Sequence, residues 1–118
     1  MSKEHSSLIN KILLKFSKGD FRLWRNETGV AIRPNGKRLI RYGLPGSSDI
    51  IGIGPNGKFI AIEVKTSKDT QKPSQKNFES MITKLGGHYT VARSIEDVDY
   101  FIMRINIDKP LVPAHHFD

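Results

Sequence analysis

Leu8, Ile9, Ile12, Leu13 and Phe16 recur at helical spacing with Lys11 and Lys15 between them, and Gly19 stops the pattern, which predicts an amphipathic helix over 4–16. Glu4 precedes Leu8 by four residues and Ile12 by eight, so this reading puts a carboxylate on the apolar stripe. Stretches 21–25 and 28–33 alternate as strands do, and Pro34, Asn35 and Gly36 turn the chain into a third over 37–42. Residues 43–48 are turn-rich. Stretches 49–53 and 58–65 then read as the two arms of a hairpin around Pro55, Asn56 and Gly57. After a polar loop, Pro73 and Ser74 open a helix that carries Phe78, Met81, Ile82 and Leu85 and ends at Gly86 and Gly87. A strand over 89–93 follows. Ser94, with Asp97 three residues on, caps a last helix bearing Val98, Phe101, Ile102 and Ile105, and the residues from 106 onward read as a tail. The mixture of elements predicts an α/β domain in which a central mixed sheet is flanked by helices.

Period two along 59–65 puts Ile60, Ile62 and Val64 on one face and Glu63 with Lys65 on the other. What lies opposite depends on the turn. A three-residue loop, with Pro55 and Asn56 at the centre of a type I turn and Gly57 as a left-handed bulge, pairs 53 with 59 and sets Asp49 across from Glu63. A two-residue Asn-Gly loop shifts the register by one and turns Asp49 to the other face; Pro55 fits the longer loop better. Two carboxylates so close need a cation between them or a shared proton. Oxygen donors suit magnesium, with manganese as a substitute, and Lys65 beside them can position a water or offset charge on a phosphate. Together these groups describe metal-assisted hydrolysis of a phosphodiester. The competing reading is an ion pair of Lys65 with either acid.

Composition narrows the setting. The 118 residues, 37% hydrophobic and 26% charged, suit one small domain over 1–118 with a core over about 4–105. Without cysteine there is no disulfide, thiolate metal site or thiol nucleophile. Neither a secretory h-region nor a membrane span is evident, so a cytoplasmic protein of a bacterial cell or phage-infected host is expected, with no membrane partner. Nineteen Lys and Arg against twelve Asp and Glu give a net charge of +7, which attracts polyanions. Arg22, Arg25, Arg33, Lys37, Arg38 and Arg41 concentrate that charge on the one hairpin expected of the strands over 21–42, against the single acid Glu27, and five of the six are Arg, whose fork suits phosphate. His5, His88, His115 and His116 lack metal-ligand spacing with the carboxylates and receive no role. A phosphate-cradling Gly-rich loop is missing, so ATP is not expected as a partner.

Gly43-Leu44-Pro45-Gly46-Ser47-Ser48-Asp49, Glu63-Val64-Lys65 and Gln75 in the following helix form an ordered set that resembles the PD-(D/E)XK nuclease superfamily, and within it the VRR-NUC (virus-type replication-repair nuclease) family. Trp24-Arg25-Asn26, Gly86-Gly87, Val91-Ala92-Arg93-Ser94 and Glu96-Asp97-Val98 extend the resemblance over about 4–105. Ser48 stands where the superfamily name has a proline. The resemblance implies that Asp49, Glu63 and the Val64 carbonyl hold the metal, that Lys65 positions water or contacts phosphate, and that Gln75 orients them. Gln71 is the rival glutamine and fits the family pattern less well. Glu4 matches the family's N-terminal-helix acid, which implies a further metal ligand, and Asn26 joins the basic residues as a DNA contact. The function implied is a magnesium-dependent endonuclease acting on branched DNA such as a Holliday junction, in replication, repair or recombination. Symmetric cutting of two strands by so short a chain requires a second copy, hence a homodimer, whose surface is sought in the last helix and in Leu111, Val112 and Phe117. The alternatives are a non-catalytic DNA-binding module on the same fold and a restriction-type duplex endonuclease.

Overall fold

The computed structural model describes residues 2–36, 39–66 and 68–108, with the strand Leu39–Tyr42 described by its backbone. Helix α1 (Lys3–Phe16) is followed by β1 (Arg22–Arg25), β2 (Gly29–Ile32), β3 (Leu39–Tyr42), β4 (Ile50–Ile53), β5 (Phe59–Val64), α2 (Pro73–Lys84), β6 (His88–Ala92) and α3 (Ile95–Asp108). Four strands form a central mixed sheet in the order β1-β4-β5-β6, antiparallel except for the β5–β6 pair, while β2 and β3 make a separate hairpin. This is the α/β architecture that the sequence predicts.

Alternation of side chains divides the sheet into two faces. Leu23, Ile50, Ile60, Ile62, Val64 and Ala92 pack against Ile9, Ile12 and Phe16 of α1 and Val98, Phe101 and Ile105 of α3, forming the main core. On the opposite face a smaller cluster joins Ala61 to Phe78 and Ile82 of α2, with Tyr89 packed against it. Burying an aliphatic side chain of this kind contributes about 1.5–3 kcal/mol. Ser17 ties the end of α1 to β1: its hydroxyl accepts from the Leu23 amide at 2.8 Å and donates to the Leu23 carbonyl at 3.0 Å.

Two expectations change. The stretch 21–25 does not pair with the one after it; β1 lies along β4, with Trp24 opposite Ile51, and the Asn26 amide donates to the Asp49 carbonyl at 2.8 Å just past the strand end. The chain leaves the sheet there, so Arg22 and Arg25 sit on the central sheet and Arg33 at the turn of the β2–β3 hairpin. The basic residues are therefore divided between two surfaces. Of the remainder, Lys37 and Arg38 lie outside the described residues, as do His115, His116, Leu111, Val112 and Phe117, and Arg41 is described only through its backbone. The second change concerns the β4–β5 turn. Ile53 does face Phe59, as the three-residue loop requires, and Gly57 is left-handed as expected (φ 74°), but Asn56 is left-handed too (φ 63°) in place of the expected type I turn. Asn tolerates that region better than most residues because its short polar side chain bonds locally.

The loop before β4 fixes how α2 meets the sheet. Leu44-Pro45-Gly46-Ser47 is a turn closed by the Ser47 amide on the Leu44 carbonyl at 3.0 Å, with Gly46 at φ 78°. A Cβ on Gly46 would stand 2.3 Å from the Ser74 carbonyl oxygen, so the loop packs backbone to backbone on the first turn of α2. Gly46→Ala is therefore expected to destabilise the fold by ~2 kcal/mol or more, combining backbone strain with a collision. Gly19→Ala, at φ 60° with nothing within 4 Å of its added Cβ, is expected to lose only ~1 kcal/mol. Equal denaturation midpoints for the two variants would disprove the packing role.

Candidate active site

The register that pairs Ile50 with Ile62 continues one step to bring Asp49 against Glu63. Their groups interlock: an Asp49 carboxylate oxygen accepts from the Val64 amide at 2.9 Å, and the Asp49 amide donates to Glu63 Oε1 at 3.3 Å. Glu63 is 3% exposed and Lys65 8%, and the Lys65 Nζ lies 3.5 Å from Glu63 Oε2. Helix α2 adds Gln75, whose Nε2 donates to Glu63 Oε2 at 2.7 Å while its Oε1 accepts from the Lys72 amide at 2.8 Å. That second bond caps the helix start and fixes the amide's orientation. Gln71 points elsewhere, donating to Glu79 and to the Tyr89 hydroxyl, both at 3.0 Å.

From the other face, α1 contributes a residue that the sequence left without a role. His5 Nε2 lies 2.8 Å from the Val64 carbonyl oxygen and 3.4 Å from Asp49 Oδ2, so it donates a proton to the carbonyl and stands beside the carboxylate. Its Nδ1 is buried and has no hydrogen-bond partner among the described residues. Glu4 is exposed, which corrects its placement on the apolar stripe. The fully buried stripe of α1 is set by Ile9, Ile12 and Phe16, and counting back by four and seven lands on His5; Glu4 is a further 100° around the helix. Leu8, on which the earlier phase was centred, is only partly buried.

Asn26 also changes role. Its Nδ2 donates to Ser47 Oγ at 2.8 Å and to the Ser48 carbonyl at 3.0 Å, so its amide hydrogens hold the loop leading into Asp49 and do not face a ligand. Arg25 is half-buried and reaches Ser6 Oγ at 3.5 Å, and Arg22, exposed, donates to the carbonyls of Gly19 and Phe21.

The VRR-NUC domain model matches residues 19–96, two thirds of the chain and all of the sheet. The protein belongs to the VRR-NUC family. It is thus a member of a nuclease family, with DNA as the substrate that membership implies. No curated protein matches the chain.

The VRR-NUC match begins after α1, so the family model reaches Asp49, Glu63, Lys65 and Gln75 but not His5. Among the described residues no three His, Asp or Glu side chains form a ready-made metal centre. The donor chemistry nevertheless fits a divalent cation. Burial first, then the charge of Asp49 and a hydrogen bond with it, push the Glu63 carboxyl up to about 7, and Lys65 only partly counters them. A proton retained on Glu63 relieves its repulsion from Asp49, and a cation held by the two acids would take over that task. Asp49, Glu63 and the Val64 carbonyl supply hard oxygen donors, with the His5 nitrogen against two of the three. Burial likewise pushes the Tyr89 phenol up to about 12, which keeps it neutral beside this cluster.

Glu63 holds its proton more tightly in the folded protein than in the unfolded chain, where the group titrates near 4.5. Its contribution to stability is therefore complete below that value and lost as pH rises through about 7. In the presence of a chelator, the melting temperature is expected to fall by roughly 5 °C or more between about pH 5 and pH 8, and Glu63→Gln is expected to flatten that slope. Parallel pH profiles of the two proteins would refute the proton held on Glu63.

Proposed function

We propose that the protein is a divalent-cation-dependent endonuclease that hydrolyses phosphodiester bonds in branched DNA. The observation that carries the reading is the row formed by Asp49, Glu63, Lys65 and Gln75, in which two acids, a buried ammonium and an oriented amide converge on one end of the sheet. A structural ion pair of Glu63 and Lys65 needs neither the second acid nor the amide.

Asp49, Glu63 and the Val64 carbonyl would hold the cation, with His5 as the α1 donor in the position expected of Glu4 once its proton moves to Nδ1 and Nε2 releases the carbonyl. Magnesium is the natural occupant and manganese a substitute, since most of the donors are oxygens. Bound there, the ion supplies Lewis-acid polarisation of the phosphate. Lys65, as an ammonium, donates hydrogen bonds that position the attacking water and offset the negative charge that grows on the phosphoryl oxygens. Gln75 holds Glu63 in the orientation that its helix cap dictates. A net charge of +7 attracts the polyanionic substrate from any direction, with Arg22 and Arg33 among the exposed contributors. Two copies related by a two-fold axis would present two such sites to opposed strands, and a four-way junction has the matching symmetry.

Cleavage of a four-way junction, a flap and plain duplex in magnesium and in EDTA tests this reading. Asp49→Ala, Glu63→Ala and Lys65→Ala are each expected to lower turnover by about 10²-fold or more, and Gln75→Ala by roughly 10–100-fold, with DNA binding retained. Full cleavage by Glu63→Ala, or in EDTA, would overturn it. Calorimetric titration with Mn²⁺ separates the α1 residues: His5→Ala is expected to weaken binding roughly tenfold or more, and Glu4→Gln to leave it unchanged. The reverse order would restore Glu4 as the ligand. Junction and duplex cut at equal rates, or a monomer in light scattering with and without junction DNA, would remove the branched-substrate and dimer readings respectively.

A further inference from the structure

The two faces of the central sheet are covered unequally. On one, α1 and α3 bury side chains from all four strands. On the other, among the described residues, α2 packs on β5 and β6 through Phe78 and Ile82 against Ala61 and Tyr89. A row of paired positions crosses this face as Trp24, Ile51, Ala61 and Tyr89, and among the described residues the α2 cluster takes in only the last two. Trp24 is 47% exposed although Leu23, its neighbour on the same strand, is in the core. The open surface continues through Ile53 and Phe59, both exposed, and Arg22 shares it. The next row along the strands is that of Asp49 and Glu63. Two residues along and one strand across place the Trp24 and Asp49 Cα atoms roughly 8 Å apart, about two nucleotide steps of a stacked strand.

We infer that Trp24 is a stacking platform for an unpaired nucleobase of the DNA strand whose phosphate lies over Asp49 and Glu63. The inference rests on the nuclease reading and deepens it by naming what is recognised: an unpaired base near the cleaved bond. Three observations select a base over another apolar partner. The platform is a flat π-system, it is continuous with the carboxylate row, and it belongs to a protein of net charge +7 with an arginine on the same face. Bases inside a duplex have no free face to offer, whereas bases at flaps, gaps and junction centres do. Stacking is tolerant of sequence because every base has a π-face, so discrimination here is between paired and unpaired DNA.

The chain contains one tryptophan, so fluorescence excited at wavelengths that its three tyrosines do not absorb reports on Trp24 alone. The whole protein is titrated in EDTA, which prevents turnover, with plain duplex, a duplex carrying a single-stranded flap, and the same flap with abasic sites in place of its bases. Quenching by the flap, and little by the duplex or the abasic flap, is expected. By anisotropy of labelled DNA, Trp24→Ala is expected to weaken flap binding roughly tenfold, Trp24→Phe to retain most of it, and neither to change duplex binding. Equal quenching by the flap and its abasic version, or undiminished flap binding by Trp24→Ala, would overturn the platform. So would an emission shift that follows protein concentration without DNA, since a second copy would then cover the face. The two readings fail separately. If the platform results hold and no DNA is cut with magnesium or manganese, the hydrolytic reading falls; if Trp24→Ala cuts and binds flaps as the wild type does, the platform falls and hydrolysis stands.

Discussion

Two acidic side chains brought face to face by adjacent strands, one of them almost wholly buried, are the constraint around which the remaining structure is arranged. Asp49 and Glu63 face each other because the β4–β5 turn pairs residue 53 with residue 59. A slip of one residue would send Asp49 to the opposite face and leave Glu63 with Lys65 alone. Once they meet, their repulsion must be offset at the same place, and the surroundings do so in layers: the Val64 amide on Asp49, the Asp49 amide, Gln75 and Lys65 on Glu63, and the proton that Glu63 retains up to about pH 7. Each of those groups comes from an element whose placement is fixed by something else. Gln75 is held by the cap of α2, α2 by the Gly46 turn, and that turn by the two bonds from Asn26. The path from a strand register to the orientation of one amide is short and almost entirely hydrogen-bonded.

Much of this is written in local pattern. The period of two over 59–65 separates Glu63 and Lys65 from the aliphatic side chains, and Pro55-Asn56-Gly57 implies the register, although Asn56 reaches it by a different backbone conformation. Gln75 over Gln71 follows from Pro73, since a helix opened by that proline puts residue 75 in its first turn. What the pattern hid is tertiary. Whether Phe21 to Arg25 pairs forward or with a strand 25 residues later depends on partners that alternation does not specify, and on Asn26 bonding to the Asp49 loop instead of continuing a ladder. His5 was hidden by phase: the sequence offers two overlapping apolar series in α1, and only packing shows that Ile9, Ile12 and Phe16 define the buried one. Had the helix been aligned on those three, His5 would have been the residue at its inner end.

The site also explains why the helices lie where they do. His5 arrives from the face packed by α1 and α3, Gln75 from the face packed by α2, and the sheet between them presents its carboxylates at the strand ends. A site at the end of a two-layered sheet is reachable by both layers and by solvent, whereas one in the middle of a face would be sealed by its covering helix. Beside the approach to Asp49, Trp24 is exposed and Ile51 half-buried. The apolar surface there adjoins the one place on the protein where charge, burial and hydrogen bonding are concentrated together.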